Sequence, residues 1–127
     1  MTRPSDREII NKIYHATKAI EDRKRSIAEY INFVSDQYDL GIGETEDLWP
    51  LLLIFLEEIK LVGPINCYIG KRPPESSYSK GIKGLELWVY CWDSKSMNKK
   101  MYLKFCIKKD NFFYVSCHES KKEGRRL

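Results

Sequence analysis

Residues 85–119, LELWVYCWDSKSMNKKMYLKFCIKKDNFFYVSCHE, decide the fold. They fall into three alternating runs, 85–92, 101–108 and 112–119, separated by polar turns. Side chains of a strand point to opposite faces with period two, so each run predicts a strand. In the first run Leu85, Leu87, Val89 and Cys91 share a face opposite Glu86, Trp88, Tyr90 and Trp92. In the second, Met101, Leu103, Phe105 and Ile107 lie opposite Tyr102, Lys104, Cys106 and Lys108. In the third, Phe113, Val115 and Cys117 lie opposite Phe112, Tyr114, Ser116 and His118. The pattern predicts an antiparallel meander with a hydrocarbon face on a core and a second face of rings, lysines and a histidine.

The turn between the last two runs sets their register. A two-residue loop at Asp110-Asn111 would pair Ile107 with Tyr114 and mix the faces. A three-residue loop, Lys109-Asp110-Asn111, pairs Ile107 with Phe113, Phe105 with Val115 and Leu103 with Cys117. Asn111 can take the left-handed conformation such a loop needs. Lys104 then faces Ser116 and Tyr102 faces His118, a cluster rather than isolated residues.

Upstream the pattern is helical. Ser5 and Glu8 form a capping box. Ile9, Ile13, Ala16, Ile20, Ile27, Ile31, Val34 and Tyr38 follow at helical spacing with no Gly or Pro between 5 and 40. One long amphipathic helix is expected, with a break near Asp22–Ser26 as the alternative, and His15 reads as a surface residue on its flank. Gly41 and Gly43 close it. Glu44-Thr45-Glu46-Asp47 opens a second helix, apolar on most sides through 48–56, which Gly63 and Pro64 stop. Residues 65–69 read as a short strand. Residues 70–81, with Lys71, Arg72, Tyr78 and Lys80, read as a polar loop long enough to reach over a ligand. The expected architecture is α+β in the order α-α-β-β-β-β, N-terminal helices packed on a C-terminal antiparallel sheet. A single domain spans 1–127: helices over 1–63, a sheet over 64–122 and a basic tail over 123–127.

Composition narrows the classes. A chain of 127 residues, 43% hydrophobic and 31% charged, supports one core. The start, MTRPSDRE, is charged, so no secretory signal is expected. The longest apolar run, 48–56, contains Pro50 and is about half the length of a membrane span. Cys67, Cys91, Cys106 and Cys117 are scattered without the close spacing of a zinc site, so they read as reduced, buried thiols and no metal or cofactor is expected. Charge is polarised: residues 1–70 carry 8 Lys and Arg against 12 Asp and Glu, and residues 71–127 carry 14 against 6. A basic field over the meander suits a polyanion, RNA or DNA first.

Cleavage of RNA at a 2′-hydroxyl needs a base, an acid and cations for the phosphorane. Histidine is the side chain suited to acid–base work near neutral pH, and His118 supplies one. Lys104, with Lys99, Lys100 or Lys121, would hold phosphate charge. Tyr102 and Tyr114 would position or protonate, and Trp88, Tyr90 and Trp92 offer faces on which bases stack. The competing arrangement buries the aromatic face under the long N-terminal helix as a second core.

Trp88, the run Tyr102-Leu103-Lys104-Phe105 and the ending Val115-Ser116-Cys117-His118-Glu119 together resemble the RelE-like ribonuclease toxins of bacterial toxin–antitoxin pairs, nearest to the MqsR branch. The likeness covers about residues 40–122 and is sharpest at the end. It implies a cytoplasmic mRNA endonuclease, metal-independent, acting on mRNA free or on the ribosome and held inactive by a cognate antitoxin. On that resemblance Tyr102 is a catalytic-site tyrosine, and His118 falls where the MqsR branch has a lysine and some other members a histidine. The long helix and the loop 70–81 depart from the family pattern. The site expected is Tyr102, Lys104 and His118 for catalysis, with Lys80, Trp88, Tyr90, Lys99, Lys100, Tyr114, Lys121 and Lys122 for RNA. The alternative is a non-catalytic nucleic-acid- or protein-binding module, such as an immunity or regulatory protein.

Overall fold

A computed structural model describes residues 3–28, 33–71 and 74–120. Helix α1 (Asp6–Glu21) starts at the expected capping box: the Glu8 backbone N–H donates to Ser5 Oγ (3.2 Å) and the Ser5 N–H to Glu8 Oε1 (3.1 Å). It ends at Asp22, well short of residue 40. Arg23 takes a left-handed conformation (φ 63°), and the Arg23 and Lys24 N–H groups donate back to the Ile20 and Ala19 carbonyls. This is the six-to-one closure usually made by glycine, so no Gly or Pro marked it.

The break turns the chain into strand β1 (Arg25–Ile27), followed by helix α2 (Phe33–Leu40). Gly41 (φ 71°) closes α2 as expected. A 3₁₀ turn (Thr45–Asp47) leads into helix α3 (Leu48–Val62), which stops at Gly63 (φ 113°). Residues 65–69 do not form the expected strand. Pro64 starts a further helical turn, α4 (Pro64–Cys67), whose Asn66 and Cys67 N–H groups bond the Gly63 carbonyl. Of these residues Tyr68 bridges the sheet, opposite Tyr90.

Strands β2 (Trp88–Ser94), β3 (Lys99–Lys108) and β4 (Asn111–Glu119) form the meander. With β1 they make a four-stranded sheet in the order β1-β4-β3-β2. β1 runs parallel to β4, so the α+β fold carries a mixed sheet rather than a purely antiparallel one.

The register is as expected at one end of β3–β4 and shifted at the other. Tyr102 faces His118, Leu103 faces Cys117 and Lys104 faces Ser116. The hairpin itself is tighter than expected: Lys108 pairs with Asn111, and Lys109 rather than Asn111 is left-handed (φ 58°). Phe105 therefore faces Tyr114 and Ile107 faces Phe112. A bulge between Tyr114 and Ser116 leaves Val115 unpaired and reconciles the two halves.

The bulge and β2 together decide which rings enter the core. Trp88, Tyr90 and Trp92 of β2 pair with Phe105, Leu103 and Met101 of β3, and all six are buried. Phe112, Tyr114 and Cys117 of β4 join them beneath α1 and α3. Rings dominate this layer: Phe55–Trp92 centroids lie 5.4 Å apart and Tyr90–Phe105 stack at 5.9 Å. Two polar ties lock it. The Tyr90 hydroxyl donates to the Ile9 carbonyl of α1 (2.7 Å). The buried Asp36 carboxylate of α2 accepts from the Tyr114 hydroxyl (2.5 Å) and the Cys117 N–H (3.0 Å). Glu58 of α3 pins the β2–β3 turn, accepting from Trp92 Nε1 (2.8 Å), Ser94 Oγ (2.7 Å) and the Ser96 N–H (2.9 Å).

The other face of the sheet is partly covered by a flap. The Ser77 N–H donates to the Leu85 carbonyl and the Leu87 N–H to the Glu75 carbonyl, both at 2.8 Å. What reads as a polar loop is thus largely a hairpin spanning 75–87. Its Ile82 is buried beside Ala28 and Cys106, with Phe113 and Val115 packed on them.

Candidate functional site

The flap covers the end of the outer face near Cys106 and Phe113. Beyond it the outer face is formed by half-buried Val89 and Cys91 of β2, Tyr102 and Lys104 of β3, and Ser116 and His118 of β4. Cross-strand pairing sets them in two rows, Val89–Lys104–Ser116 and Cys91–Tyr102–His118. Each catalytic candidate owes its place to alternation on a strand whose opposite side chains are core.

The Tyr102 and His118 rings stack, centroids 4.8 Å apart and 13° from parallel. His118 Nδ1 lies 2.9 Å from the Glu119 carbonyl oxygen. A carbonyl only accepts, so in the neutral ring this bond selects the Nδ1–H tautomer, in which Nε2 carries the lone pair. Nε2 has no hydrogen-bond partner among the described residues. Lys104 Nζ stands 5.8 Å from the Tyr102 ring centre, within cation–π range, and has no carboxylate partner among the described residues.

Two hollows flank Lys104. One, of about 400 Å³, is lined by Ile69, Gly70, Lys71, Glu75, Leu87, Val89, Tyr102 and Lys104. The other, of about 390 Å³, is lined by residues 75–79 of the flap with Leu87, Lys104 and Val115. Glu75, Leu87 and Lys104 line both, so the hollows form one groove with Lys104 at its middle. Glu75 is paired with Lys71 (3.4 Å), which offsets its charge there.

The structure brings Tyr102, Lys104 and His118 together and separates them from the rings expected beside them. Trp88 is 2% exposed, and Tyr90 and Tyr114 are fully buried, so none can stack a base. This corrects the expectation of an aromatic RNA-binding face. Both faces of β2 are apolar, and the larger rings took the deeper layer, where a buried aromatic removes the most surface from water. Burial, followed by the neighbouring Tyr68 and Cys67, pushes the Tyr90 hydroxyl far above its ordinary range. Burial, then Cys117 and Asp36, does the same for Tyr114. Lys99 and Lys100 lie near carboxylates, 3.8 Å from Glu119 and 3.6 Å from Asp93. Lys80 is exposed on the flap. Lys121 and Lys122 lie outside the described residues, as do Arg72 and the tail 123–127. His15 is away from this face, 3.0 Å from Asp110.

Val89 and Cys91, expected on the core face, instead flank Lys104 and Tyr102. Only the parity of β2 against β3 identifies them. Cys91 is half-buried, and Cys67, Cys106 and Cys117 are buried; all four are free thiols. Among the described residues no helix is long and apolar enough to cross a membrane. No known family model matches the chain, and comparison with curated proteins and with solved structures finds no similar protein.

Proposed function

We propose that the protein is an endoribonuclease acting by general acid–base chemistry at Tyr102, Lys104 and His118. The observation that carries this reading is the anchored imidazole. Its Nδ1 donates to the Glu119 carbonyl, and its Nε2 is left without a partner among the described residues, beside a tyrosine and a lysine that lacks a carboxylate there. His118 Nε2 takes the proton of an RNA 2′-hydroxyl, whose oxygen attacks phosphorus. The P–O5′ bond breaks, its electron pair leaves on O5′, and the Tyr102 hydroxyl protonates it. The imidazolium then returns its proton to the tyrosinate. Lys104 offsets the charge of the phosphorane. The products are a 2′,3′-cyclic phosphate and a 5′-hydroxyl. The basic C-terminal half supports RNA as partner. The substrate class in this reading is mRNA, and the inhibitor a cognate antitoxin in the cytoplasm, as for RelE-like toxins of the MqsR branch.

The test is incubation with mRNA in EDTA, comparing wild type with His118→Ala and Tyr102→Phe. Loss of cleavage in both supports the mechanism, and undiminished cleavage in both overturns it. A second reading, a binding module without cleavage, has its own support. The rings that would have stacked bases are core, while Val34 and Tyr38 of α2 are 73% and 87% exposed. It expects a salt-sensitive RNA complex without products, or a protein complex with no affinity for RNA.

A further inference from the structure

Burial of Trp88, Tyr90 and Tyr114 leaves the proposed RNA site without the rings expected to hold a base. Tyr102 cannot substitute, because His118 stacks on its ring and Lys104 approaches it as a cation. One ring on the groove remains open. Tyr78, on the flap, is 89% exposed and lines the same hollow as Lys104 and Val115. Exposed Tyr14 and Tyr38 belong to α1 and α2, and neither lines the groove.

The flap fixes where that ring sits. Ser77 is buried, its N–H is bonded to the Leu85 carbonyl, and its carbonyl accepts from the Gly84 N–H (2.8 Å). Ser77 Oγ also accepts from the Ser79 N–H (3.1 Å), so backbone bonds bracket Tyr78 on both sides. The backbone that carries the ring is therefore held by the flap, although the ring itself buries almost nothing. An aromatic side chain stabilises a fold through the surface it removes from water, so folding does not account for a ring left in solvent here.

We propose that Tyr78 is the base-stacking residue of this site, and that single-stranded RNA lies along the groove between the flap and the sheet. This rests on the RNA reading of Tyr102, Lys104 and His118. A base stacks on Tyr78, and the phosphate beside it lies at Lys104, Tyr102 and His118, where the bond is cleaved. Tyr78 thus sets which nucleotide is held upstream or downstream of the cleaved bond. Stacking tolerates any base, so the preference it gives follows stacking strength rather than a hydrogen-bond code.

The test is fluorescence anisotropy with 5′-fluorescein 2′-O-methyl octauridylate, which lacks the attacking hydroxyl, across a range of salt concentrations. Tyr78→Ala is expected to weaken binding about 5- to 150-fold. Tyr78→Trp is expected to retain it, and Tyr78→Leu to lose it. Tyr78→Ala leaves the salt slope unchanged, whereas Lys104→Ala lowers it by about 0.7. If Lys104→Ala weakens binding and Tyr78→Ala does not, the stacking assignment is overturned and the site stands. If wild type does not bind, or neither variant changes binding, both are overturned. Tyr78-dependent binding of fluorescent polyglutamate without binding of the oligonucleotide would overturn RNA as occupant in favour of an acidic protein segment.

Discussion

Tyr102 and His118 lie face to face across β3 and β4, 4.8 Å between ring centres and 13° from parallel. The stack orients the imidazole and the Glu119 carbonyl fixes its tautomer, so position and proton are set by different partners. Tyr102→Phe keeps the ring and removes only the hydroxyl. Tyr102→Leu removes the stack. The His118 ring protons are expected to show an upfield ring-current shift by NMR in wild type and Tyr102→Phe, and to lose it in Tyr102→Leu. Stability should fall by about 0.5–1.5 kcal/mol in Tyr102→Leu beyond the loss of buried area. A His118 spectrum identical in wild type and Tyr102→Leu would show that the stack does not form in solution.

The Val115 bulge makes a second prediction. One extra residue sits between the Phe105–Tyr114 and Lys104–Ser116 pairs. Deleting Val115 restores plain alternation and leaves Cys117 inward and His118 outward. The deletion variant is expected to fold and to keep the nuclear Overhauser contact between the Tyr102 and His118 rings. Its cost is the Val115 side chain in the small cluster with Phe113 and Cys106, roughly 1–2 kcal/mol. Deleting Cys117 instead moves His118 to the inward position, and the contact should disappear.

Acid stability should depend on Glu58. Burial alone would raise its carboxyl, but the bonds from Trp92, Ser94 and Ser96 outweigh it and leave the group below its ordinary 4.5. A lowered folded value means that the stabilisation is present above the unfolded value and is lost as pH falls through the folded one. Urea midpoints of wild type should therefore decline below about pH 4.5. Glu58→Gln should flatten that stretch of the curve, and Glu58→Ala should cost about 1–3 kcal/mol at neutral pH by stranding Trp92 Nε1. Parallel acid limbs in wild type and Glu58→Gln would remove Glu58 as the cause.

Two cysteines begin the alkaline decline. Burial, then the neighbouring Cys91, pushes Cys67 up to about 11. Burial pushes Cys106 up to about 12 against a lowering by Lys104. Stability from a raised acid is fully present below the unfolded value and is lost as pH rises through the folded one. The decline is therefore expected from about pH 9 to about 12. Cys67→Ser and Cys106→Ala should each shorten it. In native protein at pH 8, iodoacetamide should label the half-buried Cys91 first, with the other three reacting only on unfolding. Simultaneous labelling of all four would contradict the burial.

What could be read from the sequence follows which residues had a single physical solution. The capping box at Ser5 and Glu8, the stops at Gly41 and Gly63 and the three-run meander each admit one reading, and each is present. Tyr102–His118 and Lys104–Ser116 are also legible, although through a three-residue turn that does not form. The turn is tighter and Val115 restores the count, so two local differences cancel at the site. The α1 break falls at Asp22–Ser26, where the alternative reading put it, but the sequence favours one long helix because Arg23 rather than a glycine takes the left-handed turn. β2 is ambiguous because Leu87, Val89 and Cys91 could face a core as readily as Trp88, Tyr90 and Trp92. That choice is made by packing against α1 and α3, which no strand pattern contains. The flap is legible as a long polar loop, but the burial of Ile82 depends on a pocket made by Ala28, Cys106 and Val115 from three distant segments.

Among the described residues β1 pairs with β4 from Phe112 to Tyr114, and an unpaired strand edge can template pairing with another chain. Asp36 closes it: one carboxylate oxygen occupies the Cys117 N–H at the place where a neighbouring strand would offer its carbonyl. The acid thereby fills one donor position that a strand of a second copy would use. Asp36→Ala should convert a discrete protein into one that associates with rising concentration in sedimentation velocity, whereas Tyr114→Phe, which leaves the cap in place, should not. Resistance to edge-to-edge association is then expected to depend on an acid carried by an eight-residue helix.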